Sequence, residues 1–254
     1  MSCQTAVTLV GIDCATRKEK VGLACGHYDQ GQVSITEVAI GTALASVAET
    51  VAGWIRSAAS CLLALDAPLG WPAALGSTLA HHRAGDPIHI PRDKMFRRLT
   101  DRVVERELEK RPLDVGADRI AHTAHAALYL LDELRYAAGR PIGLAWQLPL
   151  DAGIHALEVY PAATLLAHGM QAAGYKGARG TATRQEILRT LGELLALPDD
   201  TDLLVQHDHA LDAVLCVLAG ADFLRDEVVR PEDMPTAQQE GWIWFHRKMG
   251  AGKT

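Results

Sequence analysis

No two cysteines in this 254-residue chain have CxxC spacing; the five that occur (Cys3, Cys14, Cys25, Cys61 and Cys216) are scattered and odd in number. That excludes a cysteine-ligated zinc site and a disulfide framework. Four of the five lie in apolar segments, the usage of reduced, buried thiols in a reducing compartment. Long hydrophobic runs are lacking too. The longest, such as Ala210 to Ala221, is broken by Asp212 and is too short for a membrane span, so no membrane partner is expected. The N-terminus has no basic region ahead of its apolar stretch; no signal peptide is predicted and the cytoplasm is the expected location. Nor is there an excess of positive charge. A formal net charge of −6 argues against broad neutralisation of duplex phosphates, while leaving room for a local basic channel. Internal repeats and low-complexity tracts are absent as well.

What is present is an ordinary globular mixture, 48% hydrophobic and 22% charged residues, enough in this length for one sizeable core. Residues 6–13 (AVTLVGID), 20–26 and 33–39 are β-rich, with a turn composition at Tyr28–Gly31 between the second and third. Leu44, Val47, Ala48, Val51, Trp54 and Ile55 fall at helical spacing and predict a helix over 43–58. CLLAL (61–65) is a wholly apolar run suited to a parallel strand buried on both faces, and it ends at Asp66 before a Pro/Gly break. Residues 73–150 read as a helical insertion, with helices near 98–110 and 117–138. A strand is predicted at 154–160, then helices at 162–172, 182–196 and 208–225, and a frayed tail at GAGKT. The whole chain, 1–254, reads as a single domain of α/β class. Three opening strands, a helix, a strand, an insertion, a strand and closing helices match the ribonuclease H-like arrangement: a mixed five-stranded sheet flanked by helices, with a helical insertion after the fourth strand.

Three acids stand where such a sheet delivers side chains to one edge. Asp13 closes the first strand, Asp66 the buried strand, and Glu158 lies near the end of the last. If the first and fourth strands are neighbours, Asp13 and Asp66 meet. Adjacent carboxylates repel unless a cation lies between them, and Mg²⁺ or Mn²⁺ favours oxygen ligands. Each acid taken alone also fits a turn or a helix cap. On the closing helix, Asp208 and Asp212 are spaced i, i+4 on a stripe continued by Cys216, Ala219 and Phe223. A core-facing acid there needs a partner or a metal, which favours Asp212; Asp208 also suits a helix N-terminus. His207 and His209 fit either a surface or proton transfer.

At these residues the sequence resembles domain-of-unknown-function family 429, described as predicted nucleases of ribonuclease H-like fold. The likeness is carried, in order, by LVGIDCAT (9–16), LALDAPLGWP (63–72), FRRLTDRVV (96–104), LEVYPAATL (157–165), YKGARGTATRQEIL (175–188), HDHALDAVLCVLAG (207–220) and EGWIWF (240–245). His209 to Ala213 also resembles the last helix of RuvC-type Holliday-junction resolvases. The resemblance implies that Asp13, Asp66 and Asp212 are catalytic and hold metal, with Asp208 and Glu158 as further ligands. One departure stands out: Ala162 and Ala163 follow Pro161, where many relatives carry an acid.

Basic segments supply the expected substrate contacts. Arg98, with Thr100 and Asp101, lies on a helix whose Arg97, Arg102 and Arg106 alternate with acids; self-pairing on a solvated face is the alternative. The loop 81–93, with Lys94 just beyond it, is locally cationic and reads as a substrate lid. Tyr175–Gly180 is glycine-rich and basic, and Lys176 and Arg184 there could cradle phosphate beside an ordinary flexible-loop reading; the loop lacks the GKS/T ending of a Walker A motif. His209 is the remaining substrate-binding candidate. Trp242–Phe245 reads as a core plug.

Taken together, the expectation is a Mg²⁺- or Mn²⁺-dependent nuclease acting on a structured or small nucleic acid, for which a homodimer would suit a branched junction. Two alternatives stand beside it: an inactive ribonuclease H-like module that binds nucleic acid or protein, and an actin-like ATPase relative. GIDCAT lacks the glycine–threonine phosphate turn the latter needs.

Overall fold

The computed structural model describes residues 6–116 and 118–248. β1 (Val7–Asp13), β2 (Gly22–Asp29) and β3 (Gln32–Ile40) form an antiparallel meander. Pairing continues to Asp29↔Gln32, so the predicted turn shrinks to Gln30 and Gly31, both at positive φ (47° and 84°), as a tight hairpin turn requires. α1 (Val47–Ile55) starts later than its periodicity predicts because the Ser46 hydroxyl caps it, accepting from the Glu49 amide. β4 (Ser60–Asp66) then lies parallel to β1.

The segment from β4 to the last strand is not purely helical. It carries α2 (Ala73–Leu79), α3 (Arg92–Phe96), α4 (Leu99–Leu108) and α5 (Asp118–Ala138), but also β5 (Ile142–Leu144), which pairs parallel with β6 (Gly153–Glu158). The sheet therefore has six strands rather than five, in the order β3-β2-β1-β4-β6-β5. Three residues with Gly143 at their centre are too short to signal a strand by pattern. Three antiparallel strands flanking a parallel set on β1 make this a mixed α/β ribonuclease H-like sheet.

Alternation along the strands divides the core between two layers. Leu9, Ala24, Leu62, Ala64 and Leu157 face a layer built on α9 (Asp208–Leu224), with α6 (Pro161–Ala167), α7 (Thr181–Leu194) and α8 (Asp202–Gln206) around it. Val10, Ile12, Leu63 and Leu65 face α1 and α5, the latter through Ala127, Leu131 and Leu134. α10 (Met234–Glu240) and the aromatic run Trp242–Phe245 close the first layer; all four of those residues are buried.

α9 is buried on every side from Ala210 to Leu224, the mark of a central helix. It rests on bare backbone: a Cβ at Gly11 would come within 1.9 Å of the Ala213 carbonyl oxygen, and one at Gly22 within 1.9 Å of the His209 carbonyl oxygen. These two glycines let the helix settle onto β1 and β2, and so bring its first turns to the strand ends.

Candidate metal centre

In the parallel register of β1 and β4, Asp13 stands opposite Asp66, each the last residue of its strand. α9 supplies Asp212 from the layer above. One carboxylate oxygen from each of the three lies within 4.8 Å of the others, although they come from positions 13, 66 and 212. Asp212 is completely buried and Asp13 nearly so. Asp66 keeps some access, bordering a cavity of about 100 Å³ with Pro68, Pro112 and Tyr160.

Negative charge here is only partly offset. Burial, and next the Asp13 charge, push the Asp66 carboxyl well above the usual carboxylate range, with Lys176 pulling the other way. The Tyr175 hydroxyl donates to Asp212 Oδ1 at 2.8 Å, and the Lys176 ammonium pairs with Asp212 Oδ2. Burial and the nearby Asp66 lift the Tyr160 phenol to about 12; burial, then Asp66 and Asp13, lift that of Tyr175 too. His209 Nδ1 lies 2.5 Å from Asp13 Oδ2, a contact that raises the imidazole pKa against partial burial. The Lys176 side chain is 53% exposed and that of His209 33%, so both reach solvent at the rim.

A family model described as protein of unknown function (DUF429) matches residues 11–236. The chain belongs to that family. The match spans both strand-end acids and the whole of α9. No curated protein matches the chain. Among solved structures, T. thermophilus RuvC in complex with a Holliday junction substrate is similar over 85% of this chain and 94% of that one, at 12% identity and a TM-score of 0.30.

The remaining expected site residues of this DUF429 protein fall outside the convergent trio. Asp208 accepts the Gly177 amide at 3.0 Å; burial opposes its ionisation, but that bond, His209 and Lys176 together hold its pKa below the ordinary value. It anchors the Tyr175–Gly180 loop. Arg184 does the same from beneath. The residue is 1% exposed and donates to the carbonyls of Tyr175 (2.5 Å), Gly177 (2.8 Å) and Val205 (2.7 Å). Its expected contact with substrate is therefore corrected: the guanidinium is consumed in shaping the loop that presents Lys176.

Glu158, Arg98 and Asp101 form a second, closed group. Arg98 makes a bidentate pair with Glu158 (2.9 and 2.7 Å) and donates to both oxygens of Asp101 (2.9 and 3.3 Å). The Leu69 amide adds a third donor to Glu158 at 2.9 Å. Burial keeps the Glu158 carboxyl above its ordinary pKa even so, with Arg98 opposing. Next to it, Glu240 accepts the amides of Ala73 and Leu99 (2.9 and 2.6 Å). Arg98 and Asp101 are each 1% exposed and tie α4 to β6, while Arg98 and Glu158 border the same cavity as Asp66. Thr100, fully buried, accepts the Ile243 amide at 2.9 Å. Loop residues 81–93 are exposed throughout. Tyr175 and Tyr160 give no sequence signal as site residues: one lies in a loop and the other closes the segment predicted as a strand. No helix among the described residues is long and apolar enough to cross a membrane.

Proposed function

We propose that this protein is a divalent-metal-dependent phosphodiester hydrolase, a nuclease whose centre is Asp13, Asp66 and Asp212. What carries the reading is a single observation: three carboxylates from separate elements converge within 4.8 Å with one ammonium and one imidazole beside them. The donor set is all oxygen, two of the three acids are buried, and the charge is under-compensated. That fits a hard cation, Mg²⁺ or Mn²⁺, held by these three side chains. When bound, such an ion supplies an activated water and stabilises charge on the phosphate oxygens.

The chain's own groups divide the other work. Tyr175 fixes the orientation of Asp212. Lys176, on its flexible stem at the rim, is placed to leave Asp212 for an incoming phosphate. His209, against Asp13 and open to solvent, can pass a proton at Nδ1. The net charge of −6 favours a small or structured nucleic acid over long duplex.

Mn²⁺ calorimetry on wild type and Asp13→Asn/Asp66→Asn, followed by a cleavage panel of labelled RNA, DNA and branched junctions, tests the reading. Binding and cleavage that both vanish in the double variant are expected. Equal binding in the two proteins would refute the placement of the ion. One observation favours a second reading, a module that binds without cutting. Ala162 and Ala163 open α6 directly after Pro161, so that turn brings no further acid. Metal binding without any cleavage across the panel would select it.

A further inference from the structure

A second group of ligand-bearing side chains converges at the far end of α9. His168 follows α6, Asp222 lies near the C-terminal end of α9, and His246 lies beyond the aromatic run. One ligand atom from each lies within 4.8 Å of the others. Asp222 stands ten residues beyond Asp212, roughly 15 Å along the helix axis, so the two clusters do not share a centre.

The local geometry is tight. His168 Nε2 lies 2.8 Å from Asp222 Oδ2, and His246 Nδ1 lies 3.6 Å from Asp222 Oδ1. The imidazoles stack at 4.4 Å between centroids, 30° apart in plane. The Asp222 side chain is fully buried, that of His168 is 9% exposed and that of His246 16%. His246 Nδ1 itself is buried and has no hydrogen-bond partner; 3.6 Å is too long for one. A buried ring nitrogen left in that condition is costly, and it belongs to a residue whose ligand atom lies within 4.8 Å of those of His168 and Asp222. Arg225 flanks Asp222 with Nη1 3.5 Å from Oδ1, but its Nε and Nη2 are engaged with the Gly31 carbonyl.

Two imidazole nitrogens and one carboxylate oxygen form a borderline donor set of the kind zinc selects. Metal–ligand lengths near 2.0–2.2 Å in a tetrahedral site put neighbouring donor atoms roughly 3.3–3.5 Å apart. His168 Nε2 and His246 Nδ1 stand 2.8 and 3.6 Å from the two different oxygens of Asp222, and one ligand atom from each residue lies within 4.8 Å of the others, close enough to converge on one ion. We propose that His168, Asp222 and His246 bind a zinc-class transition ion at a structural site separate from the strand-end carboxylates. The ion would fasten the C-terminal segment to α6 and α9. That segment lies against β6, with Ile243 bridged to Glu158 and the Trp244 amide bonded to the Glu158 carbonyl at 2.9 Å. The clamp would therefore brace the strand that carries the Arg98 network.

The test uses full-length protein stripped with EDTA, in the Asp13→Asn/Asp66→Asn background so that the strand-end acids do not contribute. Zn²⁺ is titrated against a chromophoric chelator, and Co²⁺ is added separately for its visible spectrum. One tight equivalent of Zn²⁺, tetrahedral Co²⁺ bands and a higher thermal midpoint on loading are expected. Adding His168→Gln and His246→Gln should weaken binding by at least about 100-fold. If that protein does not fold by circular dichroism, His246→Gln alone carries the same expectation. No Zn²⁺ binding in the parent background, or undiminished binding after the glutamine substitutions, would overturn the site. Either failure leaves the nuclease reading untouched, because the strand-end acids are absent from every protein compared.

Discussion

Two groups of buried acids lie at the same edge of this sheet, and they are held in opposite ways. Around Arg98, both carboxylates are matched: Glu158 receives two guanidinium bonds and the Leu69 amide, Asp101 receives the other side of the same guanidinium, and the neighbouring Glu240 takes two backbone amides. At the strand ends, Asp13, Asp66 and Asp212 have a tyrosine hydroxyl, one half-exposed ammonium and one histidine among them. Burial raises the pKa of both Asp66 and Glu158, but Asp66 also meets a second carboxylate where Glu158 meets an arginine. An acid that brings its own buried cation is architecture. A set of acids left short of positive charge by the fold is where, on the proposed reading, a cation from outside would be held.

The contrast is open to direct attack. The largest stability effect belongs to Arg98→Met, which strands Asp101 and Glu158 without their partner. A loss of about 3–5 kcal/mol in urea unfolding is expected. Asp66→Asn should behave in the opposite sense. It removes a buried like charge, so the unfolding midpoint stays level or rises, while cleavage of the substrate found in the panel falls by about 10²–10³-fold. If Asp66→Asn destabilised the fold as Arg98→Met does, the distinction between the two groups would collapse. Lys176→Met comes next. Its ammonium is half in solvent but Asp212 is fully buried, so a stability loss of about 1–3 kcal/mol is expected, smaller than for Arg98→Met because the Tyr175 hydroxyl still donates to Asp212. Cleavage should drop by roughly tenfold, about 1.4 kcal/mol of transition-state binding, read as kcat/KM.

The smallest effect calibrates the comparison from outside both groups. Burial raises the thiol pKa of Cys25 and Cys61, on β2 and β4. These thiols stay protonated in the folded protein while the unfolded chain ionises near 8.5. Their contribution is therefore full below about pH 8.5 and declines as pH rises above it. The urea midpoint should fall modestly between pH 8 and pH 10, and less steeply in Cys61→Ala.

The legible parts of this molecule were those where one residue type interrupts a pattern. VTLVGID and SCLLALD each run largely apolar and stop on an acid, a pattern that by itself places Asp13 and Asp66 at strand ends. Asp212 was legible for the same reason, an acid within a helix otherwise made of core. Asp222 gives that signal just as clearly, but nothing local marks His168, at the end of a short helix, or His246, beyond the aromatic run, as its partners. Arg98 and Arg184 show the limit from the other side. Arginines among acids and glycines look solvated or phosphate-binding in sequence, yet both are buried with their donors spent on carboxylates and carbonyls. Whether a guanidinium faces water depends on which segments fold over it, Glu158 sixty residues on for Arg98 and Val205 twenty-one residues on for Arg184, and local composition does not encode them. β5 was missed because three residues do not establish alternation.

Gly11 and Gly22 give the centre a property that its side chains do not. Asp13 stands two residues past Gly11 on β1, and Asp212 is the residue before Ala213, whose carbonyl meets Gly11. The gap between the two acids is thus gauged by main chain seated on main chain, like the jaws of a caliper resting on a stop. Core residues elsewhere can drift in size and repack without altering that setting. A single methyl at position 11 would change it, lifting the helix and resetting both jaws together.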